Sequence, residues 1–376
     1  MNICDKKKCT SCGACAASCP KNAVKLVYNN TGEFVPQIDY DKCVGCNLCK
    51  KVCQVNEKVI LKDIKRCFAA WRRDNKKRER SASGGIGTAF AEHIIKNHGI
   101  VYSAMLDYNK DVSICRITNI TDLNKIQGSK YVYSYVKNSY LEVKEDLKSG
   151  KQVLYIGLPC QIAGLYSSLK KTEYSNLITV DIICHGSGSQ SLWQEHVKYL
   201  QKKNSFSYDN FSFRSNRWDE NYHLCFHENG KTILNLSSWE DEYFSGFLNG
   251  SLLRDSCYHC QYKQEKRVGD ISIGDFIGLD KTDLPKADNG NTSVILVNSE
   301  KGENFVLANG EEIELVERAI NEAVDNGPSL KGNINKYRHK RIFKIFYRLF
   351  GFHKAAKVVN IYLKVLNKLR QICFRA

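Results

Sequence analysis

The sequence predicts an α+β or α/β protein with a small cysteine-rich unit, a larger α/β body and a basic helical tail. Three observations predict this order. Eight of the 17 cysteines fall in two runs within the first 53 residues, and strand–loop–helix patterns repeat between residues 152 and 202. The last 46 residues contain 13 Lys and Arg but no Asp or Glu. The predicted units are residues 1–66, 67–330 and 331–376.

Composition sets the class of protein before any motif is considered. The chain has 376 residues, of which 43% are hydrophobic, so it is neither a disordered chain nor a small disulfide scaffold. No stretch reaches the roughly 18 apolar residues of a membrane span, and the first residues lack the apolar core of a signal peptide. We therefore expect a cytoplasmic protein, where 17 cysteines favour metal or redox chemistry over disulfides.

The charge is concentrated at one end of the chain. The formal net charge is +16, but residues 1–330 hold 43 basic and 40 acidic side chains and are close to neutral. A nucleic-acid-binding body would carry its own basic face, so we expect no nucleic-acid partner.

The two N-terminal cysteine runs share the spacing C-x2-C-x2-C-x3-C. A 4Fe–4S cube takes four thiolates; three closely spaced cysteines wrap one cube, and the fourth reaches the neighbouring cube. The spacing therefore predicts two clusters with exchanged fourth ligands. The ligands of one are Cys9, Cys12, Cys15 and Cys53, and those of the other are Cys43, Cys46, Cys49 and Cys19.

The alternative for this segment is a pair of zinc sites, although zinc knuckles usually pair C-x2-C units across a longer gap. Residues 23–28 and 34–39 flank an Asn-Asn-Thr-Gly turn and predict a hairpin. The whole segment resembles bacterial two-cluster ferredoxins, except that Gln54 stands where the second run would end in proline. Cys4 and Cys67 are left over and are expected to be ordinary cysteines.

The body begins with a Ser/Gly turn at residues 81–88 that feeds an apolar-periodic helix, a pattern suited to binding an anion. Strands at 152–156 and 177–184 each lead through a loop into a helix, which predicts parallel pairing. Loops after parallel strands meet at one sheet edge, so Cys160 and Cys184 should converge there. The helix start at Cys160 favours a thiolate.

Cys257 and Cys260 form a further C-x2-C pair. Together with Cys160 and Cys184 they provide four thiols, enough for a third 4Fe–4S cluster. Zinc remains the alternative at this site, with His185 and His259 as substitute ligands or neighbours.

Six motifs in this order resemble those of the family of coenzyme F420 hydrogenase/dehydrogenase beta subunits, preceded by a two-cluster ferredoxin segment. The resemblance extends over about residues 67–315. The motifs are Ser83-Gly84-Gly85, Gly128-Ser129-Lys130-Tyr131-Val132, Gly157-Leu158-Pro159-Cys160-Gln161, Cys184-His185-Gly186, Leu253-Arg254-Asp255-Ser256-Cys257-Tyr258-His259-Cys260 and Gly269-Asp270-Ile271-Ser272-Ile273-Gly274-Asp275-Phe276.

The resemblance implies a flavoprotein that carries FAD and a 4Fe–4S cluster. It maps the cluster onto Cys160, Cys184, Cys257 and Cys260. It maps the flavin contacts onto Ser83, Gly84, Gly85, Gly128, Ser129, Lys130 and Tyr131. Leu158 stands where the family has a threonine, which removes a polar contact. His185 and Asp275 lie in motif loops and are the candidate catalytic residues.

The implied function is an oxidoreductase that passes electrons between 4Fe–4S clusters and FAD, to or from a two-electron small-molecule partner. Surface-polysaccharide biosynthesis is the implied setting. The alternative is an electron-relay subunit that feeds a redox partner protein and has no substrate of its own. A third reading is a flavin-free interaction module stabilised by zinc.

The tail is predicted to form basic amphipathic helices. Between residues 338 and 350, Lys340, Lys344 and Arg348 share one helical face and apolar residues line the other, and a second such helix follows Gly351. One interpretation is attachment to an anionic membrane surface, at roughly 1 kcal/mol per basic residue near the lipid. The other is packing of the apolar face on the body or on a partner subunit.

Overall fold

The computed structural model describes residues 2–215, 222–284, 291–332 and 337–373. Most of the strands belong to one sheet in the body, and the others form a hairpin and a small second sheet. The strands are β1 (Val24–Tyr28), β2 (Phe34–Ile38), β3 (Arg66–Arg72), β4 (Ile100–Leu106), β5 (Val112–Ile117), β6 (Val153–Gly157), β7 (Leu177–Ile182), β8 (Asn210–Ser212), β9 (His223–Glu228), β10 (Lys231–Ser237), β11 (Ile271–Asp275), β12 (Ser293–Val297) and β13 (Ile313–Arg318).

The helices lie on both sides of the large sheet and at its ends. They are α1 (Ala14–Ala17), α2 (Leu48–Lys51), α3 (Asn75–Glu79), α4 (Ile86–Lys96), α5 (Leu123–Ile126), α6 (Ser139–Lys148), α7 (Pro159–Ser168), α8 (Gln190–Asn204), α9 (Glu242–Leu248), α10 (Glu300–Ala308), α11 (Ile320–Asn326), α12 (Tyr337–Phe350) and α13 (Phe352–Cys373).

The large sheet has eight strands in the order β13-β3-β12-β11-β7-β6-β4-β5. The four central strands β11, β7, β6 and β4 run parallel, and the flanking strands pair antiparallel. The predicted parallel pairing is confirmed, since Val153 of β6 lies opposite Leu177 of β7. Strand β6 is buried along its whole length, as expected of a central strand covered on both faces.

The sequence predicts a helix that begins near Gln161, and the observed helix α7 begins two residues earlier, at Pro159. Pro159 occupies the first turn, where its fixed φ and missing N–H cost nothing. The side chain of Gln161 then accepts a hydrogen bond from the backbone N–H of Leu158 at 2.9 Å. The earlier start places Cys160 inside the first turn of the helix.

The N-terminal unit contains the predicted hairpin. Strands β1 and β2 pair antiparallel, with Tyr28 opposite Phe34. Asn29 closes the turn, because its side-chain oxygen accepts hydrogen bonds from the backbone N–H groups of Thr31 and Glu33, both at 2.9 Å. This conformation follows from the tendency of asparagine to bond to the backbone two residues on.

The tail helices α12 and α13 pack on the body. Phe343, Phe352 and Val359 are buried in the same aromatic core as Trp193 of α8 and Phe244 of α9. This arrangement corresponds to the second of the two interpretations for their apolar face. Residues 333–336 and 374–376 of the predicted tail lie outside the described residues.

The expected separation of a basic from an apolar face on α12 is wrong in part. Lys340 is buried and lies 3.2 Å from a carboxylate oxygen of Glu33, and Lys344 lies against Asp255 at 2.5 Å. Leu349, predicted on the apolar face, is 66% exposed. Acidic partners on the body draw two cations inward, an effect that helical periodicity cannot reveal. In the part of the chain that is described, no helix is both long and apolar enough to cross a membrane.

Candidate metal centres and cofactor cavity

The structure brings the N-terminal cysteines together in two groups of four with exchanged members. The first group is Cys9, Cys12, Cys15 and Cys53, whose thiols act on one another electrostatically. The second group is Cys19, Cys43, Cys46 and Cys49, which line one small cavity. Four thiols around a common space are the donor set of a 4Fe–4S cube, so these residues fit the cofactor that the spacing predicts.

The two runs also share a backbone conformation that the spacing alone does not reveal. The residues before and after the second cysteine of each run have positive φ. These are Ser11 (54°) and Gly13 (80°) in the first run, and Gly45 (71°) and Asn47 (58°) in the second. Each run therefore needs only one glycine, because a serine or an asparagine adopts the other left-handed position.

The two groups differ in exposure. Cys12, Cys15 and Cys53 are each less than 10% exposed, whereas Cys43 and Cys46 lie at the surface. A fifth thiol, that of Cys4, lies beside those of Cys9 and Cys53. No spacing or motif predicted this position for Cys4. The second group is the one that a partner protein could approach.

A third group of four thiols lies in the body. Cys160 is in the first turn of α7, Cys184 follows β7, and Cys257 and Cys260 lie in and just after a 3-10 turn. The thiol of Cys160 acts electrostatically on those of the other three. Cys160 and Cys184 therefore converge at the carboxyl edge of the sheet, where the parallel topology puts them.

The expectation that the helix start favours a Cys160 thiolate is not met, because burial of this thiol disfavours its charged form. Burial and the neighbouring thiols raise the pKa of Cys160 well above its ordinary value. Burial likewise raises the pKa of Cys184 to about 12. Metal binding displaces the protons of such thiols, and four thiols in one place fit a metal or cluster site.

The first and third groups meet at helix α7, which carries Cys160 and contacts Cys12. Gly164 of α7, one turn after Cys160, faces Cys12 so closely that a methyl group there would lie 2.7 Å from the Cβ atom of Cys12. Gln54, which directly follows Cys53, is fully buried and donates a 2.6 Å hydrogen bond to the carbonyl oxygen of Cys160. One hydrogen bond and one close contact within the protein thus connect the two groups.

Two cations accompany the third group. Arg254 is fully buried, stacks its guanidinium 3.9 Å from the ring centre of Tyr133, and hydrogen-bonds to Ser11 at 2.5 Å. Lys263 is also buried and lies near Cys184, Cys257 and Cys260. Buried cations of this kind balance the negative charge of thiolates and of a cluster.

A cavity of about 480 Å³ opens beside the third group, within the size range of cofactor pockets. It lies beyond the carboxyl ends of β6, β7 and β11, the edge where ligands bind in open α/β sheets. Its wall contains the predicted residues Ser83, Gly85, Gly128, Ser129, Lys130, Tyr131, Cys184, His185 and Asp275. Gly84 is not in the wall, because it packs against the backbone of β3 and β12.

Lys130 gives this cavity its chemical character. Its ammonium group donates a 3.0 Å hydrogen bond to the carbonyl oxygen of Gln127, and among the described residues no carboxylate pairs with it. Burial lowers the pKa of Lys130 to about 8. An ammonium without a counter-ion at a cavity wall calls for an anionic ligand, so the site fits the pyrophosphate of a dinucleotide.

The two candidate catalytic residues share the cavity but differ in their surroundings. Asp275 forms an ion pair with Arg214, which also donates a 3.1 Å hydrogen bond to the hydroxyl of Tyr131. The ring of His185 lies 5.3 Å from that of Phe247. The arginine neutralises and orients the carboxylate of Asp275, which makes it a fixed hydrogen-bond acceptor at the cavity wall.

Sequence reasoning missed several residues that complete the site. The sequence assigns no role to Gln54, Tyr133, Arg254 or Lys263, whereas Arg214 belongs to a loop that resembles a substrate-side loop of the family. Arg254 lies inside one of the recognised motifs, which was a usable signal. Gln54 gave none, because its partner Cys160 is 106 residues away in the chain.

Comparisons with known proteins agree with this geometry. Residues 150–322 match the family that describes the C terminus of the beta subunit of coenzyme F420 hydrogenase/dehydrogenase, and residues 8–56 match the 4Fe-4S dicluster domain. The predicted resemblance is confirmed for these two regions. The N-terminal unit is an iron–sulfur domain of the ferredoxin type, joined to a larger α/β domain.

Individual relatives match parts of the chain. The F subunit of F(420)H(2) dehydrogenase from Methanosarcina mazei is 21% identical over 47% of this chain, and the matched region spans about half (53%) of that relative. Pyruvate synthase subunit PorD of Methanocaldococcus jannaschii is 43% identical over 14% of this chain and 58% of its own length. A chain of the F420-reducing [NiFe] hydrogenase complex from Methanosarcina barkeri matches with 17% identity, a TM-score of 0.47, and coverage of 82% of this chain and 93% of that chain.

Proposed function

From the match of residues 150–322 to the C-terminal part of these beta subunits, we propose that the chain is an iron–sulfur flavoprotein oxidoreductase. It passes electrons between 4Fe–4S clusters and FAD, to or from a two-electron small-molecule partner. The observation that carries the proposal is the position of Cys184, which belongs to the third cysteine group and also lines the cavity. When bound, the clusters carry single electrons and the flavin converts between one- and two-electron transfer.

The proposal gives twelve cysteines a ligand role in three clusters. The closeness of the first and third groups, joined by Gln54 and by the contact of Gly164 with Cys12, supports electron transfer through this part of the protein. The exposure of Cys43 and Cys46 supports the second group as the point of exchange with a partner. Arg254 and Lys263 would hold the third group by compensating its charge.

In the cavity, the chain's residues bind and orient the flavin. Lys130 and the Ser83 turn would hold the pyrophosphate, since both offer donors to an anion. The paired carboxylate of Asp275 would accept a hydrogen bond from a ring nitrogen or a substrate hydroxyl. His185 would hold or release a proton at an imidazole nitrogen, since either ring nitrogen can donate or accept.

The test is anaerobic purification of the full chain, with iron, zinc and flavin measured on one sample. We expect about twelve iron atoms and one FAD per chain, four irons for each of three clusters. The variant Cys184→Ala should lose about four irons, whereas Cys225→Ala, a buried cysteine of β9 outside the three groups, should lose none. About eight irons with one zinc per chain would show that the third group binds zinc in place of a cluster. About eight irons without flavin would overturn the proposal.

A second candidate function is an electron-relay subunit without a substrate of its own. The exposed Cys43 and Cys46 favour it, because a surface cluster site is what a partner redox protein would meet. Turnover separates the two candidates. An isolated, fully loaded chain that reduces or oxidises a small molecule catalytically is an enzyme, and one that only exchanges electrons with a partner protein is a relay.

The substrate class rests on the resemblance rather than on the cavity. It implies a sugar or lipid-linked intermediate of surface-polysaccharide biosynthesis, and it does not establish the use of the deazaflavin coenzyme, which is the second class to test. Attachment of the tail to an anionic membrane surface would suit a lipid-linked substrate. Reoxidation of the reduced protein by each class, followed at the flavin absorption band, distinguishes them.

A further inference from the structure

A cluster of metal-ligating side chains lies where the tail meets the body, apart from the three cysteine groups and the cavity. His196 is on α8, Glu242 is the first residue of α9, and His353 is the second residue of α13. One ligand atom from each lies within 4.8 Å of the other two. Three helices that are distant in the chain thus present two imidazoles and a carboxylate to one point.

His196 is fixed in the form that a metal ligand needs. It is fully buried, and its Nε2 atom lies 2.6 Å from a carboxylate oxygen of Asp241. Because a carboxylate only accepts, Nε2 carries the proton and the lone pair is on Nδ1. Within the described ranges, Nδ1 is buried and has no hydrogen-bond partner. Histidines that bind zinc commonly donate their other ring N–H to a carboxylate in this way.

His353 adds two more buried nitrogens. Both Nδ1 and Nε2 are shielded from solvent and lack a hydrogen-bond partner in the part of the chain described here. Its ring lies 5.4 Å from that of His196, and the ring of Tyr199 covers it at 3.6 Å between centres. Both ring nitrogens of His353 are therefore buried polar atoms without a partner among the described residues. Native structures seldom leave such groups unpaired unless something else binds them.

The carboxylates are positioned by the start of α9. Asp241 caps this helix, since its second oxygen accepts a 2.7 Å hydrogen bond from the backbone N–H of Phe244. The next residue, Glu242, is therefore held beside the two histidines. Phe352 lies 5.5 Å from the His196 ring and closes the apolar side.

We propose that His196, His353 and Glu242 bind one Zn²⁺ ion, with Asp241 orienting His196. Two imidazoles and one carboxylate suit zinc and leave a fourth position for water. The ion would fasten α13 to α8 and α9. Its role is to hold the tail on the body, and it is independent of electron transfer.

The test uses the full chain with its clusters reconstituted, so that the cysteine groups are filled with iron. Zinc sulfate is added, loosely held metal is removed, and zinc and iron are measured per chain. We expect one zinc atom. Its X-ray absorption spectrum should show nitrogen and oxygen neighbours at about 2.0–2.2 Å and no sulfur at about 2.3 Å. Sulfur neighbours, or no retained zinc, would overturn the proposal.

Variants assign the ligands. His353→Gln and Glu242→Gln should each weaken zinc binding at least tenfold and speed proteolytic removal of the tail in the presence of zinc, with iron content unchanged. His98→Gln, an exposed histidine after α4, is the matched control and should bind zinc as the wild type does. The two substitutions lie on different helices, so the loss of zinc from both would not be a local folding defect. The iron content of each variant shows whether it has folded. Equal zinc affinity in wild type and both variants would refute the site.

Discussion

Lys130 is the residue whose surroundings most constrain what the cavity binds. Its pKa of about 8 lies below that of an ordinary lysine because burial disfavours the charged form. An anion binds the protonated form, so the attraction is nearly full at about pH 7 and is lost as the pH rises through 8. We therefore predict that FAD affinity, measured by quenching of flavin fluorescence, falls between pH 7 and 9.5.

Substitutions of Lys130 distinguish the effect of its charge on FAD binding from that of its size. Lys130→Gln should weaken FAD binding roughly 10- to 100-fold at pH 7, the value of one charged hydrogen bond, and should flatten the pH profile. Lys130→Arg keeps its charge throughout this range and should bind FAD with little dependence on pH. A profile in Lys130→Gln as steep as that of the wild type would show that another group titrates.

At the scale of single residues, the sequence predicts which residues are ligands better than it predicts the contacts that these residues make. The twelve cysteines were identified from spacing, topology and one resemblance, because ligand spacing is local or follows from the sheet edge. Gln54 and Arg254 were not, because their contacts with Cys160 and Ser11 join segments more than 100 residues apart. Long-range contacts of this kind depend on the packed fold and leave no periodic signal in one sequence.

At the scale of the elements, α7 carries Cys160 of the third group, and its Gly164 sets how closely Cys12 of the first group approaches the helix. An added Cβ would meet both Cys12 and the hydroxyl of Tyr140 at 2.7 Å. We predict that Gly164→Ala lowers stability by about 1–3 kcal/mol, as overpacking usually does, and reduces the iron content of the first group. Thermal unfolding and iron analysis measure both effects.

The control for this prediction is another helical glycine with room for a methyl group. Gly87 of α4 would gain only an ordinary contact, 3.4 Å from Ile273. Gly87→Ala should therefore keep its iron and be as stable as the wild type or more so, since alanine favours a helix. If Gly164→Ala behaved in the same way, the two cysteine groups would not depend on this close approach.

Helix α12 illustrates how charge overrides helical periodicity. Lys340 is 1% exposed and pairs with Glu33, which is 7% exposed, whereas the Lys344–Asp255 pair is more accessible. Removing one partner of a buried pair leaves an uncompensated charge and costs about 3–5 kcal/mol, while a more exposed pair is worth about 1 kcal/mol or less. We predict that Lys340→Ala lowers the unfolding temperature clearly more than Lys344→Ala.

A double substitution checks the cause. Adding Glu33→Gln to Lys340→Ala removes the isolated carboxylate and should recover part of the lost stability, which a double-mutant cycle measures. If Glu33→Gln instead lowered the stability of Lys340→Ala further, the buried charge would not be the source of the effect. The same pair ties the tail to the β1–β2 hairpin, which makes α12 part of the N-terminal packing.

At the scale of the whole molecule, the order of the units could be predicted and their contacts could not. Cysteine runs, strand–helix alternation and charge asymmetry are features of composition along the chain. The burial of Phe343, Phe352 and Val359 in the core of the body is a matter of which apolar surfaces meet. An amphipathic helix of this length fits a membrane or a protein surface equally well, so its sequence alone leaves both open.

The packed tail still has an outer surface, and this surface allows a last prediction. Ile345, Leu349, Ile361 and Val365 are more than half exposed although their helices pack on the body, and the two pairs are each spaced by four residues. Exposed cations, including Arg341, Arg348 and Lys357, lie on the same two helices. Apolar residues flanked by cations are typical of a segment that lies on an anionic lipid surface.

We predict that the full chain sediments with vesicles containing phosphatidylserine, that binding weakens in high salt, and that neutral vesicles retain much less protein. Leu349→Ser with Ile361→Ser should abolish most of the binding, because the apolar contribution of both helices is lost. Ile60→Ser, which removes an 86% exposed isoleucine of the N-terminal unit, is the matched control and should leave binding unchanged. Equal sedimentation of all three proteins, or none with either vesicle, would contradict lipid binding by this surface.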